Sequence, residues 1–330
     1  MMKKASIKDV AQLAGVSIAT VSQILNNKGE RFSEETRQKV VQARDQIGYV
    51  PNLSARRLKK QNSIILGIVV RSLALPYFGN LVQQIQDHLP ENVTMSVMSG
   101  EGEQADQAVY QLMNSGASAI IVGSQLTAPK EIAEELKRRG VAMVVLENHA
   151  KLFEADSVHA KDFDGGQLAA KHLLSLGHHH VVLLGNQRYT DNLFQRAQGF
   201  TETMLAGGGT VSEVKTHSLS KQSGQAAAMA VSITKATGVF ALNDDLAIGL
   251  IAGLAKIGLH VPTDISVVGF DDGDYAAFYQ PGLTTVHQPG DQIAKAALEL
   301  ALARVADSQA KRQVAQFDVN LTVRESTRRQ

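Results

Sequence analysis

The sequence predicts an α/β protein in two parts: a small helical head, then a two-lobed body of doubly wound parallel sheets. Residues 6–26 have the apolar spacing and the turn glycine of two short helices joined at a tight corner. From residue 64 onward, apolar β-rich runs alternate with helical stretches, the pattern of parallel strands joined by crossover helices. Charge is also divided. Residues 1–62 hold 12 Lys and Arg against 5 Asp and Glu, whereas the whole chain of 330 residues holds 33 against 32. A net charge of +1 therefore conceals a basic head on an acidic body.

Ser6 suits a helix N-cap, with Asp9 three positions on. Ile7, Val10, Ala11 and Ala14 share one face, and Gly15 accepts the left-handed conformation that ends the helix. Ser17 caps a second helix that turns Val21, Ile24 and Leu25 inward and leaves Ile18, Ala19, Ser22 and Gln23 outward. Ser33 caps a third, with Glu34 and Glu35 in its first turn, where negative charge suits the helix dipole. Its apolar face is Val40, Ala43 and Ile47, and Gly48 and Pro51 stop it. This is the pattern of a helix-turn-helix, and the concentrated positive charge supplies the phosphate-neutralising part of DNA affinity.

The body follows in two passes. Strands are predicted over 64–70, 93–98, 119–122 and 142–146, with helices near 79–88, 104–115 and 130–139 between them. After residue 164 the pattern restarts. Helices are expected near 165–176, 193–205, 224–231 and 246–257, and strands over 181–184, 214–216, 239–242 and 265–268. A helix over 290–305 and a strand near 314–321 finish the chain. The strands read as continuous apolar runs, as they do when helices cover both faces. The division is 1–50 for the helix-turn-helix, 51–62 for a hinge helix or linker, and 63–330 for the body. Its N-lobe is about 63–163 and 291–322, and its C-lobe about 164–290. Two such lobes hold small molecules between their strand C-terminal edges.

Composition excludes several classes. There is no Cys, so disulfides, thiolate zinc sites and Cys nucleophiles are out. No apolar run is long enough to span a bilayer, and the N-terminus has no apolar signal region, so a cytoplasmic protein without a membrane partner is expected. His178-His179-His180 is consecutive, and consecutive residues rarely converge on one ion, so no metal is assigned. Gly100-Glu101-Gly102 lacks the third glycine of a dinucleotide loop, and no Gly-x-Ser-x-Gly elbow, Walker loop or His-Glu-x-x-His occurs. Neither a cofactor nor an enzymatic activity is expected.

Ordered motifs then run through the whole chain. The head carries Ile7-Lys8-Asp9-Val10-Ala11, Ala14-Gly15-Val16-Ser17, Thr20-Val21-Ser22, Leu25-Asn26 and Gly48-Tyr49-Val50-Pro51-Asn52, followed by Ala55-Arg56-Arg57-Leu58. The body carries Gly177-His178, Arg196-Ala197-Gln198-Gly199-Phe200, Asn243-Asp244, Asp264 through Asp272, Leu283-Thr284-Thr285-Val286 and Val323 through Thr327. In these the chain resembles the LacI/GalR family of bacterial transcriptional regulators over essentially its full length.

The resemblance implies a sequence-specific DNA-binding regulator, by default a repressor, whose operator affinity is set by a small effector. A corepressor-dependent or activating regulator is the alternative, and a ligand-binding protein without a DNA role a remoter one. The helix over 17–26 would lie in the major groove, with Ser17, Thr20, Ser22 and Asn26 on the DNA and Ile18, Ala19 and Gln23 towards base edges. The family commonly has Arg where this chain has Gln23. Because Arg suits guanine and Gln suits adenine, the half-site is expected to differ at that base pair. In the hinge the resemblance places Asn52, Ala55 and Arg56 on the operator and Leu58 as a wedge in the minor groove. Two hinges meeting at one dyad imply a homodimer, and no heptad helix for tetramerisation follows the family's last motif. The effector contacts implied are Tyr77, Phe78, Arg196, Asn243, Asp244 and Asp271, with Glu147 and Asn148 as weaker candidates. Hydroxyl-seeking side chains among aromatics suit a sugar or a nucleoside, and the residues do not choose between them.

Overall fold

The computed structural model describes residues 7–25, 32–47, 64–146 and 155–330, and the chain divides into two compact units, Met1–Ser63 and Ile64–Gln330. In the first unit, α1 (Ile7–Ala14), α2 (Ile18–Ile24) and α3 (Glu34–Gln46) enclose a small core of Val10, Ala11, Val21, Ile24, Val40 and Ala43. Gly15 sits at φ +66° between α1 and α2, as the corner requires. The Ser17 Oγ accepts the Thr20 N–H at 3.0 Å, and the Ser33 Oγ accepts the Thr36 N–H at 3.3 Å, so the caps expected at Ser17 and Ser33 form. Ser6, Asn26 and the hinge over 51–62 lie outside the described residues.

The second unit holds two six-stranded sheets. In chain order it runs β1 (Ile64–Val70), α4 (Pro76–Asp87), β2 (Val93–Ser99), α5 (Glu103–Asn114), β3 (Ala119–Gly123), α6 (Pro129–Arg139), β4 (Ala142–Leu146) and β5 (Asp156–Ala160). It continues α7 (Asp162–Ser175), β6 (His180–Asn186), α8 (Asp191–Ala206), β7 (Thr210–Thr216), α9 (Lys221–Ala226), α10 (Ala228–Ile233), β8 (Gly238–Ala241), α11 (Asp244–Lys256) and β9 (Ser266–Asp271). It ends β10 (Thr284–His287), α12 (Gly290–Ala306), β11 (Val314–Phe317) and β12 (Asn320–Thr322). The sheets order β11-β5-β4-β3-β1-β2 and β12-β10-β9-β8-β6-β7. Every pairing is parallel except that of β12 with β10. Each sheet is covered on both faces by apolar cores, which is why its central strands are buried almost throughout.

Three segments pass between the sheets, after β5, after β10 and after β11. The last corrects the sequence reading. The single strand expected near 314–321 is two short strands in different sheets, so residues 320–322 pair in the second lobe rather than the first. The physical reason is the polar pair Asp318 and Asn320 in a segment too short to signal a break by periodicity. The chain end also belongs to the second lobe. The buried Ser326 donates to the Val267 carbonyl at 2.6 Å and accepts the Thr284 N–H at 2.8 Å. The helix expected over 224–231 is likewise two, α9 and α10, meeting at Ala227.

Candidate functional site

The two sheets share a cleft whose empty space, counting its open mouth, is about 610 Å3. Its lining comes mainly from just beyond strand C-terminal ends: Arg71 after β1, Gly123 ending β3, Asn243 after β8 and Asp271 ending β9. The first turn of α4 adds Pro76, Tyr77 and Phe78, and the start of α8 adds Thr190, Asn192, Leu193 and Arg196. Strand ends are where parallel sheets leave backbone and side chains free to meet a ligand.

Arg196 organises the second-lobe wall. Its side chain is 3% exposed, and its Nε donates to Asp162 Oδ1 at 2.7 Å while one terminal nitrogen donates to the Leu242 carbonyl at 2.9 Å. The guanidinium lies 3.6 Å from the centre of the Phe270 ring, and its Nη1 is 3.6 Å from Asp271 Oδ1. Two glycines make room for this arrangement. A Cβ on Gly166 would fall 2.1 Å from the Arg196 carbonyl oxygen, and one on Gly199 2.1 Å from that of Phe163, so α7 and α8 touch backbone to backbone. Burial pushes the Asp162 carboxyl up, and Arg196 pulls against it.

Asp271 has φ +118°, a strained conformation for a residue with a Cβ. Its carboxylate accepts from the Gln288 Nε2 at 2.7 Å, on the second segment passing between the lobes. Strain held by a neighbouring bond is characteristic of functional positions. Tyr77 and Phe78 stand edge to face, centroids 5.3 Å apart, with Phe78 buried and Tyr77 half-buried. Asn243 lines the cleft, but its side chain caps α11: Oδ1 accepts the Leu246 N–H at 3.0 Å, and Nδ2 donates to the Leu219 carbonyl at 3.1 Å.

Asp244 is corrected. It is fully buried away from the cleft lining, where its carboxylate accepts from Thr285 Oγ1 at 2.6 Å and the Gly273 N–H at 3.0 Å. Burial raises its pKa to about 7. The cleft-lining acid is its neighbour Asp245, which pairs with Lys221 and accepts the Tyr275 hydroxyl at 2.7 Å. Burial, then this carboxylate, pushes the Tyr275 phenol above its ordinary range. Sequence reasoning missed Arg71, Gln125, Thr190, Asn192, Asp245 and Tyr275. Proximity to strand ends was the signal available for Arg71 and Gln125. Glu147 and Asn148 lie outside the described residues.

In the head, α2 exposes Ser17, Ala19 and Ile18, the last 44% exposed, while Thr20, Ser22 and Gln23 are half-buried. Ser17 and Thr20 hydroxyls bond to each other at 2.9 Å. Asn52, Ala55, Arg56 and Leu58 lie outside the described residues. Among the described residues, no helix is long and apolar enough to cross a membrane, and no cluster of His, Asp or Glu has metal-binding geometry. His178 is instead bonded to Thr237 at 2.9 Å and to the Arg328 carbonyl at 3.0 Å.

Residues 6–52 match the family of bacterial regulatory proteins, lacI family, and residues 170–327 match a periplasmic binding protein-like domain. The HTH-type transcriptional repressor PurR of Vibrio campbellii is 30% identical across 98% of this chain and 99% of its own length. The structure of the lac repressor dimer bound to operator and the anti-inducer ONPF is 28% identical, with a TM-score of 0.81 over 99% of this chain and 100% of that one. A LacI family regulator from Enterococcus faecium with bound ribose is 29% identical, with a TM-score of 0.76 over 81% of this chain and 99% of that one. With a basic helix-turn-helix head, a two-lobed cleft and likeness over its full length, the chain belongs to the LacI family and is a DNA-binding transcriptional regulator, not an enzyme.

Proposed function

We propose that the cleft binds a small polyhydroxylated effector, a sugar or a nucleoside, and that its occupancy sets the affinity of the head for an operator. The observation that carries this is the second-lobe wall: Arg196, fixed by Asp162 and Phe270, faces a strained Asp271 beside Asn192 and Thr190. That set offers forked donors and carboxylate acceptors, the complement of vicinal hydroxyls. Tyr77 and Phe78 on the opposite wall offer ring faces and edges to a sugar or base. The ribose held by the Enterococcus faecium relative supports the sugar class.

The chain acts as a homodimeric repressor on operator DNA in the cytoplasm, as the dimeric lac repressor on its operator suggests. On the DNA side, Ser17, Thr20 and Ser22 hold phosphates, and Ile18, Ala19 and Gln23 meet base edges; the contacts assigned to Asn26, Asn52, Ala55, Arg56 and Leu58 are part of the same reading. Ligand binding must favour one lobe arrangement over another to reach the head. The default direction is release of DNA on binding.

The test is a thermal-shift screen of sugars and nucleosides on the full chain. Operator binding is then measured for each hit, on DNA selected by the protein from random sequence. A hit that weakens operator binding is the expected result. A hit that strengthens it makes the ligand a corepressor. Stabilising ligands that all leave operator affinity unchanged would refute the effector role of the cleft.

A further inference from the structure

We infer that the effector carries an anionic group, a phosphate or carboxylate on a sugar-sized polyol, and that Arg71 of the first lobe reads it. This rests on the cleft being the effector site and adds the charge of its occupant.

Arg71 follows β1 directly and lines the cleft. Its side chain is 15% exposed, so a permanent charge sits largely withdrawn from water. Its ionic partner is Glu101, at 3.5 Å from Nε, and that side chain is 56% exposed. The guanidinium makes no hydrogen bond to another described residue, although it presents five donors. A loose pair with an exposed carboxylate contributes little and is readily exchanged.

The remaining cleft charges are already balanced. Arg196 is matched by Asp162 and Asp271, and Asp245 by Lys221. Arg71 is thus the cleft cation whose carboxylate partner, Glu101, is itself mostly exposed to water. The positive end of α4 strengthens the same wall: Leu75 gives its first turn no side-chain cap, and Pro76 and Tyr77 line the cleft. The second-lobe wall, where Asp271 and Asp245 are held by Arg196 and Lys221, leaves no unbalanced cation for an anion and accepts hydroxyls. The chemistry therefore divides the ligand, polyol towards the second lobe and anion towards the first. A ligand held by both walls favours the arrangement in which they are close.

The test is calorimetric titration of the full chain with matched pairs: ribose and ribose 5-phosphate, glucose and glucose 6-phosphate, glucose and glucuronate, with inorganic phosphate alone as a control. At least one charged member is expected to bind about tenfold or more tightly than its neutral parent. Arg71→Gln erases that difference and Arg71→Lys keeps part of it. Glu101→Gln, which removes the competing carboxylate, strengthens binding of the charged member by roughly threefold and leaves the parent unchanged. A response confined to the phosphate or to the carboxylate pair identifies the anion. Neutral parents binding as tightly as charged ones, with Arg71→Gln altering neither, would overturn the inference and leave the polyol reading standing. Wild-type protein binding no member of any pair would overturn the inference and return the effector reading to the sugar and nucleoside screen.

Discussion

Removing Asp162 tests the foundation of the cleft wall. Asp162→Ala leaves the Arg196 guanidinium 3% exposed and without its 2.7 Å carboxylate. Breaking a buried pair on one side costs about 3–5 kcal/mol, because a charge stays behind in a medium that does not solvate it. The lower end applies here, since the Leu242 carbonyl, the Phe270 ring and Asp271 still attend the cation. At about 3 kcal/mol, the melting temperature of a body this size falls by roughly 6–12 °C. The assay is thermal and denaturant unfolding of the full chain, followed on the transition of the second unit. The same physics says that the pair itself adds little net stability, because taking both charges out of water offsets their attraction. Asp162→Leu with Arg196→Met should therefore unfold within about 1 kcal/mol of wild type while losing ligand binding. The reasoning fails if Asp162→Ala alone is within that margin, or if the double variant is as unstable as the single one.

Other expectations follow from the same geometry. Gly166→Ala sets a methyl 2.1 Å from a backbone oxygen that cannot yield, so about 2–3 kcal/mol is lost and ligand affinity falls with the displaced Arg196; unfolding and titration of the variant check both. Folded Asp244 keeps its proton to about pH 7, whereas the unfolded chain releases it near pH 4. Its stabilisation is therefore complete below about pH 4 and is lost as pH rises to about 7, and Asp244→Asn should flatten that slope in melts taken across the range. Ser17→Ala removes the α2 cap and destabilises the head by about 1 kcal/mol, weakening operator binding while ligand titration stays unchanged. Gln23→Arg is expected to move the selected base at one position of each half-site towards guanine, and identical selected sites would remove Gln23 from base reading.

The head and the sheet cores were legible in the sequence because their elements obey a period. Val10, Ala11, Val21, Ile24, Val40 and Ala43 recur at helical spacing and do close one core. The apolar runs of β1, β3 and β4 are continuous because helices cover both faces. β5 and β10 escaped notice for the opposite reason. Asp-Ser-Val-His-Ala and Thr-Thr-Val-His break the apolar run with polar side chains, several of them buried and bonded, as when Asp156 accepts from Arg304 Nε and Nη2 at 2.8 Å each. No period encodes such bonds, because the partner lies far along the chain.

The cleft shows the same limit at single-residue scale. Asn243-Asp244-Asp245 offers three polar residues at a strand end, and composition does not rank them. Helix geometry does. Asn243 is spent as the cap of α11, and each later residue is turned by about 100° about the helix axis. That turn sends Asp244 towards Thr285 and the Gly273 N–H, and Asp245 towards Lys221, Tyr275 and the cleft. Asp162 is hidden for a related reason. It carries no signal of its own, and its importance comes from Arg196, which reaches it only because Gly166 and Gly199 let α7 and α8 meet at their backbones. A motif can therefore nominate the arginine that lines the cleft. The carboxylate that holds it in place emerges only when the two helices are packed, because Asp162 and Arg196 lie on different helices and meet at 2.7 Å.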